Sequence, residues 1–269
     1  MQKQLLNILQ AEIDPAFAKR ARYILHEVEK QKPKKILDIG CGRGFYIKSL
    51  SLFNFTKEIC GIDLNPLYVE KAKKSYPDNK RIRVKTGTII DLPYPDEYFD
   101  FIICSEILEH VPDDKKALRE LRRVLKYNGK LLVTVPNLYF PFFWDPVNWL
   151  LMRLFHTHVH KDIWWLAGIW ADHVRLYTDE QMQKLIIKQG FTVKESVGII
   201  HYCWPFTHFL LYGIGKNIVE RMGASEFDRF TFKKKPFANF LSSIFSFPSR
   251  FDPERGNTFV NFAYFCEKK

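Results

Sequence analysis

The sequence predicts an α/β domain built on a doubly wound, mostly parallel sheet. Short apolar runs alternate along the chain with segments whose apolar residues recur at helical spacing, an order that places helices on both faces of such a sheet. The first apolar run ends in a glycine-rich turn, Gly40-x-Gly42-x-Gly44, and the second ends in an acid, Asp63. A chain of 269 residues with 46% hydrophobic content is long enough to bury one large core.

The individual elements follow from local signals. Residues 1–31 predict helices, and Asp14-Pro15 predicts a fresh start within them, with Asp as the N-cap and Pro at the first helical position. Thr178 and Gln181 form a capping box that opens a later helix. Further helices are expected after Gly44, from Asn65-Pro66 to about residue 75, and over residues 113–125, the last one closed by Asn128-Gly129. The predicted strands cover residues 35–39, 58–63, 81–86, 99–104, 130–135, 191–198 and 258–266.

Two segments exceed what this alternation needs. Residues 137–172 contain ten aromatic residues and separate the fifth strand from the next helix, where we expect a lid. Residues 201–257 contain thirteen aromatic residues and separate the sixth and seventh strands. We expect both to be insertions within a single domain that spans residues 1–269 and begins with the helices of residues 1–31.

The glycine turn and the acid indicate a nucleotide site. A strand, a glycine turn and a helix together let a ligand approach the main chain closely. Asp63 comes 19 residues after Gly44, where its carboxylate can accept both hydroxyls of a ribose. Asp38 precedes the turn and would repel a pyrophosphate, but it suits a cationic ligand with an amino-acid end, such as S-adenosylmethionine.

Four consecutive motifs resemble those of the class I S-adenosylmethionine-dependent methyltransferases, in particular the type 11/23-like enzymes and the O-methyltransferases of quinone biosynthesis. They occupy residues 36–44, 61–63, 91–100 and 106–112, and the likeness extends over residues 30 to 200 and the final strand. The resemblance implies a Rossmann-like, seven-stranded sheet whose last strand is antiparallel. It also implies S-adenosylmethionine as the cofactor, and methyl transfer to oxygen or carbon of a small or lipid-like acceptor.

The resemblance also assigns cofactor-binding residues. These are Asp38, Gly40, Cys41, Gly42, Gly44, Asp63, Leu64, Thr88, Ile89 and Ser105. The third motif departs from the family, because Gly87-Thr88-Ile89 stands where an acid commonly follows the glycine. Thr88 can still accept a hydrogen bond from the adenine amine, though without charge assistance.

The fourth motif contains the candidate catalytic and metal-binding side chains. If a helix begins there, Glu106 shares a face with Glu109 and His110, and His173 can add a fourth ligand for a divalent metal. The pattern resembles metal-assisted O-methyltransferases, yet many class I members of no known metal dependence carry Glu-His-Val here. A metal is therefore the less favoured alternative, and a role for these residues in ordering the loop stays open. His110 and His173 are candidate general bases, because their pKa lies near neutrality. The tract of His156, His158 and His160 fits a polar loop face better than a metal site.

Charge and aromatic content suggest the partners. A net charge of +11 favours an anionic partner such as nucleic acid, a membrane surface or a phosphorylated substrate. Aromatics beside Lys and Arg in the two insertions, including Lys233, Lys234 and Lys235, suggest an anionic membrane surface, with a larger core or a dimer interface as the alternative. Nucleic acid is disfavoured, since the aromatics cluster with aliphatic residues more than with Lys and Arg and the sequence contains no recognisable RNA-binding module. Two other functions stay open: an RNA-modifying methyltransferase, and a scaffold that binds the cofactor without catalysis.

The compartment follows from the cysteines and the apolar runs. Five cysteines without a C-x-x-C pair predict reduced thiols and a cytoplasmic protein, with association to a membrane as an open alternative. The polar N-terminus lacks the apolar core of a signal peptide. The longest uncharged run, residues 196–215, contains Pro205 and three glycines, which argues against a spanning helix.

Overall fold

The computed structural model describes residues 3–76, 79–163, 166–215 and 236–269. Its strands are β1 (Lys35–Ile39), β2 (Glu58–Asp63), β3 (Ile82–Thr86), β4 (Phe99–Ser105), β5 (Leu125–Pro136), β6 (Phe191–Ile199) and β7 (Asn261–Lys268). They form one sheet in the order β3-β2-β1-β4-β5-β7-β6. The first five strands run parallel, and β7 lies antiparallel between β5 and β6. The predicted doubly wound sheet with an antiparallel last strand is confirmed.

Helices cover both faces of this sheet. In chain order they are α1 (Lys3–Gln10), α2 (Pro15–Gln31), α3 (Phe45–Ser51), α4 (Pro66–Lys74), α5 (Asp114–Val124), α6 (Pro146–Leu154), α7 (Asp179–Lys188) and α8 (Pro236–Ser246). The Asp14 carboxylate accepts hydrogen bonds from the amides of Ala16 and Phe17 at the start of α2, as the sequence predicts. The capping box of Thr178 and Gln181 is also present at the start of α7.

Alternation along the central strands divides the core into two layers. Leu37 and Ile39 of β1 pack with residues of α5 and α7, whereas Ile36 packs with residues of α2, α3 and α4. Asp38 has the same parity as Ile36 and therefore points to the face covered by α2 and α3. The register sets Asp38 beside Ile103 and Ile39 beside Cys104. The ends of β1 and β4 thus meet at the carboxyl edge of the sheet, the usual ligand side of such folds.

The bounds of β5 differ most from those predicted from the sequence. The structure ends α5 at Val124 and begins β5 at Leu125, whereas the sequence suggests a helix to residue 125 and a strand from residue 130. Asn128-Gly129 does not close the helix; it lies within β5, where Asn128 has a left-handed φ of 59°. The register between β4 and β5 shifts across this pair, from Phe99 beside Leu125 to Phe101 beside Lys130. The turn residues therefore form an irregularity within the strand and do not end the helix.

The aromatic segment of residues 137–172 is partly core. Phe140 and Trp144 are buried with Ile169, and they pack on Ile199 and Val260 at the antiparallel edge. Burial of one such aromatic side chain contributes about 2–3 kcal/mol. Trp164 and Trp165 of this segment, and residues 216–235 of the other one, lie outside the described residues.

A buried polar clamp organises the same segment. The Asp145 carboxylate accepts hydrogen bonds from the amide and side chain of Asn148, at 3.1 and 2.8 Å, and from the amide of Ile169, at 3.0 Å. Asn148 in turn binds the carbonyl of Ala167 and the amide of Val159. Gly168 is required beside this clamp, because a Cβ there would lie 1.9 Å from Asp145 Oδ2. The clamp fixes the turn that precedes His173.

All five cysteines are buried and unpaired by disulfides. Within the described ranges, no helix combines the length and the apolar character needed to cross a bilayer.

Candidate functional site

The glycine turn forms an open cradle at the carboxyl edge of the sheet. Gly40, Gly42 and Gly44 all have left-handed φ angles, of 67°, 51° and 89°. A Cβ on Gly40 would lie 1.9 Å from Ile107 Cδ1, so this glycine closes the turn against the segment after β4. A Cβ on Gly42 would meet no atom within 4 Å, so the turn faces open space at that residue.

Asp63 ties the second strand to this cradle. Its Oδ2 accepts a hydrogen bond from the Gly42 amide at 2.7 Å, and its Oδ1 accepts one from the Asn65 amide at 2.8 Å. Each oxygen retains a lone pair for a further donor. Leu64, which follows directly, is 73% exposed beside the acid. The structure thus brings together the turn and the acid that the sequence singled out.

Backbone hydrogen bonds join the cradle to β2. The amides of Gly40 and Cys41 both donate to the Ile62 carbonyl, at 2.7 and 3.0 Å. Gly61 permits this approach, because a Cβ there would lie 2.9 Å from Cys41 Sγ and 3.0 Å from Ile47 Cδ1. Sequence reasoning gave Gly61 no role, although a glycine two residues before the acid was a usable signal.

Asp38 is a buried acid with an unused oxygen. The residue is 1% exposed, and its Oδ2 has no hydrogen-bond partner. Burial, with a further contribution from Asp63, raises the pKa of Asp38 well above its usual range. A cationic ligand group beside Asp38 would favour its ionised form and satisfy the unused oxygen.

The remaining residues expected to bind the cofactor are Thr88, Ile89 and Ser105, none of which is charged. Thr88 pairs with Asp91 in a short bridge, and its hydroxyl accepts a weak bond from the Ile90 amide at 3.4 Å. Ile89 is buried against the core. Ser105 ends β4, and its hydroxyl lies 2.9 Å from that of Thr134.

A second group of side chains lies beyond the end of β4. Glu109 is fully buried, and neither carboxylate oxygen has a hydrogen-bond partner. One of these oxygens lies 3.8 Å from His110 Nε2 and 3.9 Å from His173 Nε2. The rings of His110 and His173 meet edge to face at 4.8 Å. The ligand atoms of these three residues all lie within 4.8 Å of one another, a spacing that can hold a metal ion.

The environment sets the protonation of this group. Burial, assisted by Glu106, raises the pKa of Glu109 well above its usual range. Burial, with a further contribution from His110, lowers the pKa of His173 to about 4. His173 is therefore neutral near pH 7, and its ring can accept a proton.

Glu106 does not join the group. The segment of residues 106–110 does not begin an α-helix; Glu106 has a left-handed φ of 57°, and only Leu108–His110 form a 3₁₀ turn. Its carboxylate instead accepts hydrogen bonds from Thr134 Oγ1 at 2.8 Å and from Asn261 Nδ2 at 2.6 Å. The helical spacing that would align Glu106 with Glu109 is therefore wrong, and Glu106 braces β5 and β7.

The three histidines of residues 156–160 do not converge. His158 stacks on Trp170 with ring centroids 4.1 Å apart, and His160 pairs with exposed Asp162. The tract is part of the loop surface, as the sequence favours.

Sequence reasoning also missed two buried polar residues near the cradle, Arg20 of α2 and Tyr46 of α3. Arg20 is 9% exposed and Tyr46 is 8% exposed. Their placement was not predictable. Arg20 lies in the basic run Lys19-Arg20-Ala21-Arg22 before the motifs, and Tyr46 lies among the apolar residues of α3.

Comparisons with known proteins agree with this geometry. Residues 37–133 match a family model described as "Methyltransferase domain". The uncharacterized methyltransferase YcgJ of Bacillus subtilis is 34% identical over 113 residues, which cover 41% of this chain and 44% of that protein. The demethylmenaquinone methyltransferase of Staphylococcus saprophyticus is 32% identical over 130 residues, which cover 48% of this chain and 54% of that protein. The chain thus spans about half the length of these curated relatives.

The crystal structure of the Bacillus subtilis YcgJ protein superposes with a TM-score of 0.54 at 20% identity, over 93% of this chain and 98% of that one. At this identity the superposition establishes the fold, and it extends the likeness well beyond residues 37–133.

Proposed function

Because this chain belongs to the class I S-adenosylmethionine-dependent methyltransferases, we propose that it transfers a methyl group from S-adenosylmethionine to a small or lipid-like acceptor, at oxygen or carbon. One observation carries the proposal. The cradle and Asp63 lie on one side of the carboxyl edge, and the buried group of Glu109, His110 and His173 lies across the end of β4. Two geometric observations support their being neighbours: Ile39, which leads into the cradle, lies beside Cys104 of β4, and Gly40 lies against Ile107, just after that strand.

The residues present fit the cofactor. The open face at Gly42 leaves room for the ligand, Asp63 has lone pairs for two ribose hydroxyls, and the unused oxygen of Asp38 suits an ammonium group. When bound, S-adenosylmethionine supplies an electrophilic methyl group on a sulfonium. The chain's own contribution is mainly to align the acceptor with that methyl group, and such positioning is worth roughly 7–11 kcal/mol in well-oriented cases.

We assign proton acceptance from the acceptor to His173. His173 is neutral near pH 7, so a ring nitrogen can accept a proton, and Glu109 Oε1 lies 3.9 Å from its Nε2. Its pKa of about 4 makes it a weaker base than the near-neutral imidazole expected from the sequence. His110 is oriented by a contact of 2.8 Å between its Nδ1 and the Asp172 carbonyl, and it borders the same space. We therefore propose for both histidines the catalytic roles that the sequence suggests, with His173 the more enclosed.

The same three residues also fit a divalent metal. One carboxylate and two imidazoles are an established set of metal ligands. The carboxylate of Glu109, whose two oxygens have no hydrogen-bond partner, would then bind the ion. Glu109, His110 and His173 would hold the ion, which would lower the pKa of an acceptor hydroxyl. Activity that persists in EDTA supports the histidine base alone. Activity that is lost in EDTA and restored by Mn²⁺, Mg²⁺ or Zn²⁺ supports the metal.

A lipid-like acceptor is supported by one relative and by the surface. The relative from Staphylococcus saprophyticus is named for demethylmenaquinone. In this chain, α8 contains no charged residue and exposes Phe237, Phe240 and Ile244, followed by exposed Phe247. Trp204 joins this surface through a hydrogen bond of 2.8 Å from its Nε1 to the Ile244 carbonyl.

We propose that this exposed surface of α8 contacts an anionic bilayer. Aromatic side chains favour the headgroup region, and the three lysines that precede α8 in the sequence would add electrostatic attraction, although they lie outside the described residues. Flotation with anionic liposomes should recover the wild type but not Phe240→Glu. The matched control is Tyr127→Glu, since Tyr127 is a similarly exposed aromatic, 66% against 60%, at the start of β5. Equal flotation of both variants would contradict the surface.

Labelled-methyl transfer separates the proposed function from its alternatives. The purified protein is incubated with S-adenosylmethionine carrying a labelled methyl group and either a lipid extract or total RNA. Label in the lipid fraction supports the proposal. Label in RNA alone identifies an RNA-modifying enzyme, and cofactor binding without label in either fraction supports a scaffold.

A further inference from the structure

A buried amide at the carboxyl edge of the sheet has an oxygen without a partner. Asn261 is the first residue of β7, it is 3% exposed, and it pairs with the last residues of β5 and β6. Its Nδ2 donates a hydrogen bond to Glu106 Oε2 at 2.6 Å. Its Oδ1 is buried and, among the described residues, accepts no hydrogen bond. A buried amide oxygen is unfavourable without a donor, which indicates a donor from a bound molecule.

Glu106 determines which way this amide points. A carboxylate accepts hydrogen bonds and does not donate them, so Nδ2 rather than Oδ1 of Asn261 must face it. The carboxylate is itself held from two other sides, by Thr134 Oγ1 at 2.8 Å from its Oε1 and by Arg20 Nη1 at 3.5 Å from its Oε2. The unpartnered oxygen of Asn261 is therefore fixed on the side of the amide that faces away from Glu106.

Asn261 belongs to a row of polar side chains that begins at the cradle. The members of the row lie on the face of the sheet that α2 covers: Asp38 of β1, Ser105 of β4, Thr134 of β5 and Asn261 of β7. The register sets this arrangement, because paired residues and residues two apart along a strand share a face. Three interstrand spacings, or about 14 Å, separate the first and last members. The row is thus long enough for the cofactor to occupy one end and the acceptor the other.

The far end of the row lies beside the chain segment that leads to the proposed base, His173. Ala263 has the same parity as Asn261 and packs with Trp144 and Ile169 of that segment. The Ile169 amide is held in the buried clamp, a short distance along the chain before His173. Asn261 therefore lies on the side of the site that the proposed base occupies, away from the cradle.

We propose that Asn261 binds the acceptor, with its Oδ1 accepting a hydrogen bond from a hydroxyl group of that molecule and Glu106 orienting the amide. This inference rests on the proposed function, and it narrows the acceptor to a hydroxyl compound. A hydroxyl supplies the donor that the buried oxygen lacks, whereas an ether or a hydrocarbon does not. A site built around such a contact rejects analogues without the donor, because the oxygen is then left unpaired.

Labelled-methyl transfer by variants of Asn261 tests the assignment, with a total lipid extract as the source of acceptor. Asn261→Leu removes both polar atoms at similar volume and should lower the initial rate at limiting extract by roughly 10- to 100-fold. Its affinity for S-adenosylhomocysteine, measured by calorimetry, should stay within about twofold of the wild type, because the row separates Asn261 from the cradle. Asn261→Asp can share a proton with Glu106 and keeps an oxygen for the acceptor, so it should retain more activity than Asn261→Leu.

The matched control is Thr192→Val. Thr192 Oγ1 is also buried without a partner, but Thr192 is the second residue of β6, at the opposite edge of the sheet. Its replacement should change neither the rate nor the affinity. A control that lost as much activity as Asn261→Leu would show that any removed polar atom causes the loss, and it would overturn the assignment.

Chemical treatment of the extract tests the class of acceptor. Acetic anhydride acylates both hydroxyls and amines, whereas N-hydroxysuccinimidyl acetate acylates amines and leaves hydroxyls free. Transfer by the wild type should disappear after the first treatment and persist after the second. Transfer that survives both treatments, or that both abolish, would contradict a hydroxyl acceptor.

Folded Asn261→Leu protein that transfers label within about threefold of the wild type would also overturn the assignment, and so would an equal loss of cofactor affinity. Circular dichroism verifies folding, and Asn261→Ala, which also removes both polar atoms, is judged by the same criteria if Asn261→Leu does not fold. A folded wild type that binds S-adenosylhomocysteine but labels no lipid would instead overturn the proposed function, and this inference with it. The two failures are distinct, because the first requires a wild type that labels lipid.

Discussion

Replacement of Asp63 is the most informative perturbation of the cofactor site. Its two oxygens already accept the amides of Gly42 and Asn65, at 2.7 and 2.8 Å, which fixes the direction of the carboxylate before any ligand arrives. The lone pairs left over are available to two ribose hydroxyls, which can donate to them. Asp63 is only half-buried, so each of these charged hydrogen bonds should contribute about 1–2 kcal/mol net of solvent.

The loss expected for Asp63→Ala is therefore about 2–4 kcal/mol, or roughly 30- to 1000-fold in affinity. Asp63→Asn keeps the shape and one acceptor oxygen but not the charge, so its loss should be intermediate. Asp91→Ala is the matched control, since Asp91 is an exposed acid that follows the neighbouring strand and makes no predicted contact with the ligand.

Titration calorimetry with S-adenosylhomocysteine measures these losses directly. Thermal melts of each variant separate ligand effects from loop disorder, because Asp63→Ala also releases the Gly42 amide. Well-folded Asp63→Ala and Asp63→Asn proteins that both bind within about threefold of the wild type would refute the role of this carboxylate.

Three further predictions follow from the same geometry. Gly40→Ala should destabilise the fold strongly, because its Cβ would lie 1.9 Å from Ile107, whereas Gly42→Ala should cost only about 1–2 kcal/mol of backbone strain. Urea unfolding measures the free energy of unfolding of both variants, and an equal decrease in the two would contradict the structure. Burial lowers the pKa of His173 from 6.5 to about 4, so its neutral form contributes stability that is present above pH 6.5 and is lost as the pH falls towards 4. In EDTA, the free energy of unfolding of the wild type should fall by up to about 3 kcal/mol more than that of His173→Gln between pH 6.5 and 4. Parallel stability profiles of the two proteins against pH would contradict the lowered pKa of His173. Asp145→Ala should lower the free energy of unfolding by about 3–5 kcal/mol, because it removes the acceptor of three buried hydrogen bonds. The exposed control Asp162→Ala should lower it by less than about 0.5 kcal/mol. Similar losses in urea unfolding of the two variants would contradict a stabilising role for Asp145.

The first four strands could be predicted from the sequence with little error. The bounds of β1 and β2 match the predicted residues 35–39 and 58–63, because buried parallel strands are continuous apolar runs and glycine or an acid ends them. The antiparallel edge was harder. The predicted last strand covers residues 258–266, whereas β7 covers Asn261–Lys268, since pairing with β5 and β6 rather than local alternation sets its ends.

In the site, too, residues positioned by nearby sequence were predicted, and residues positioned by distant strands were not. The glycine turn follows β1 and Asp63 ends β2, and these strands are consecutive in the chain and paired in parallel, so their meeting followed from strand order alone. Glu106 is the opposite case. Its left-handed backbone and its bonds to Thr134 and Asn261 depend on strands that lie 28 and 155 residues away, and no local pattern encodes them. Arg20 was missed for the same reason, because only the folded chain reveals that its donors are unused.

A crystal structure of the wild type with S-adenosylhomocysteine tests the central claim most directly. The account predicts both ribose hydroxyls within about 2.5–3.0 Å of the Asp63 carboxylate, the amino-acid end over the turn of Gly40 to Gly44, and the sulfur facing His173. A ligand bound elsewhere, or a cradle that stays empty at saturating ligand, would contradict it.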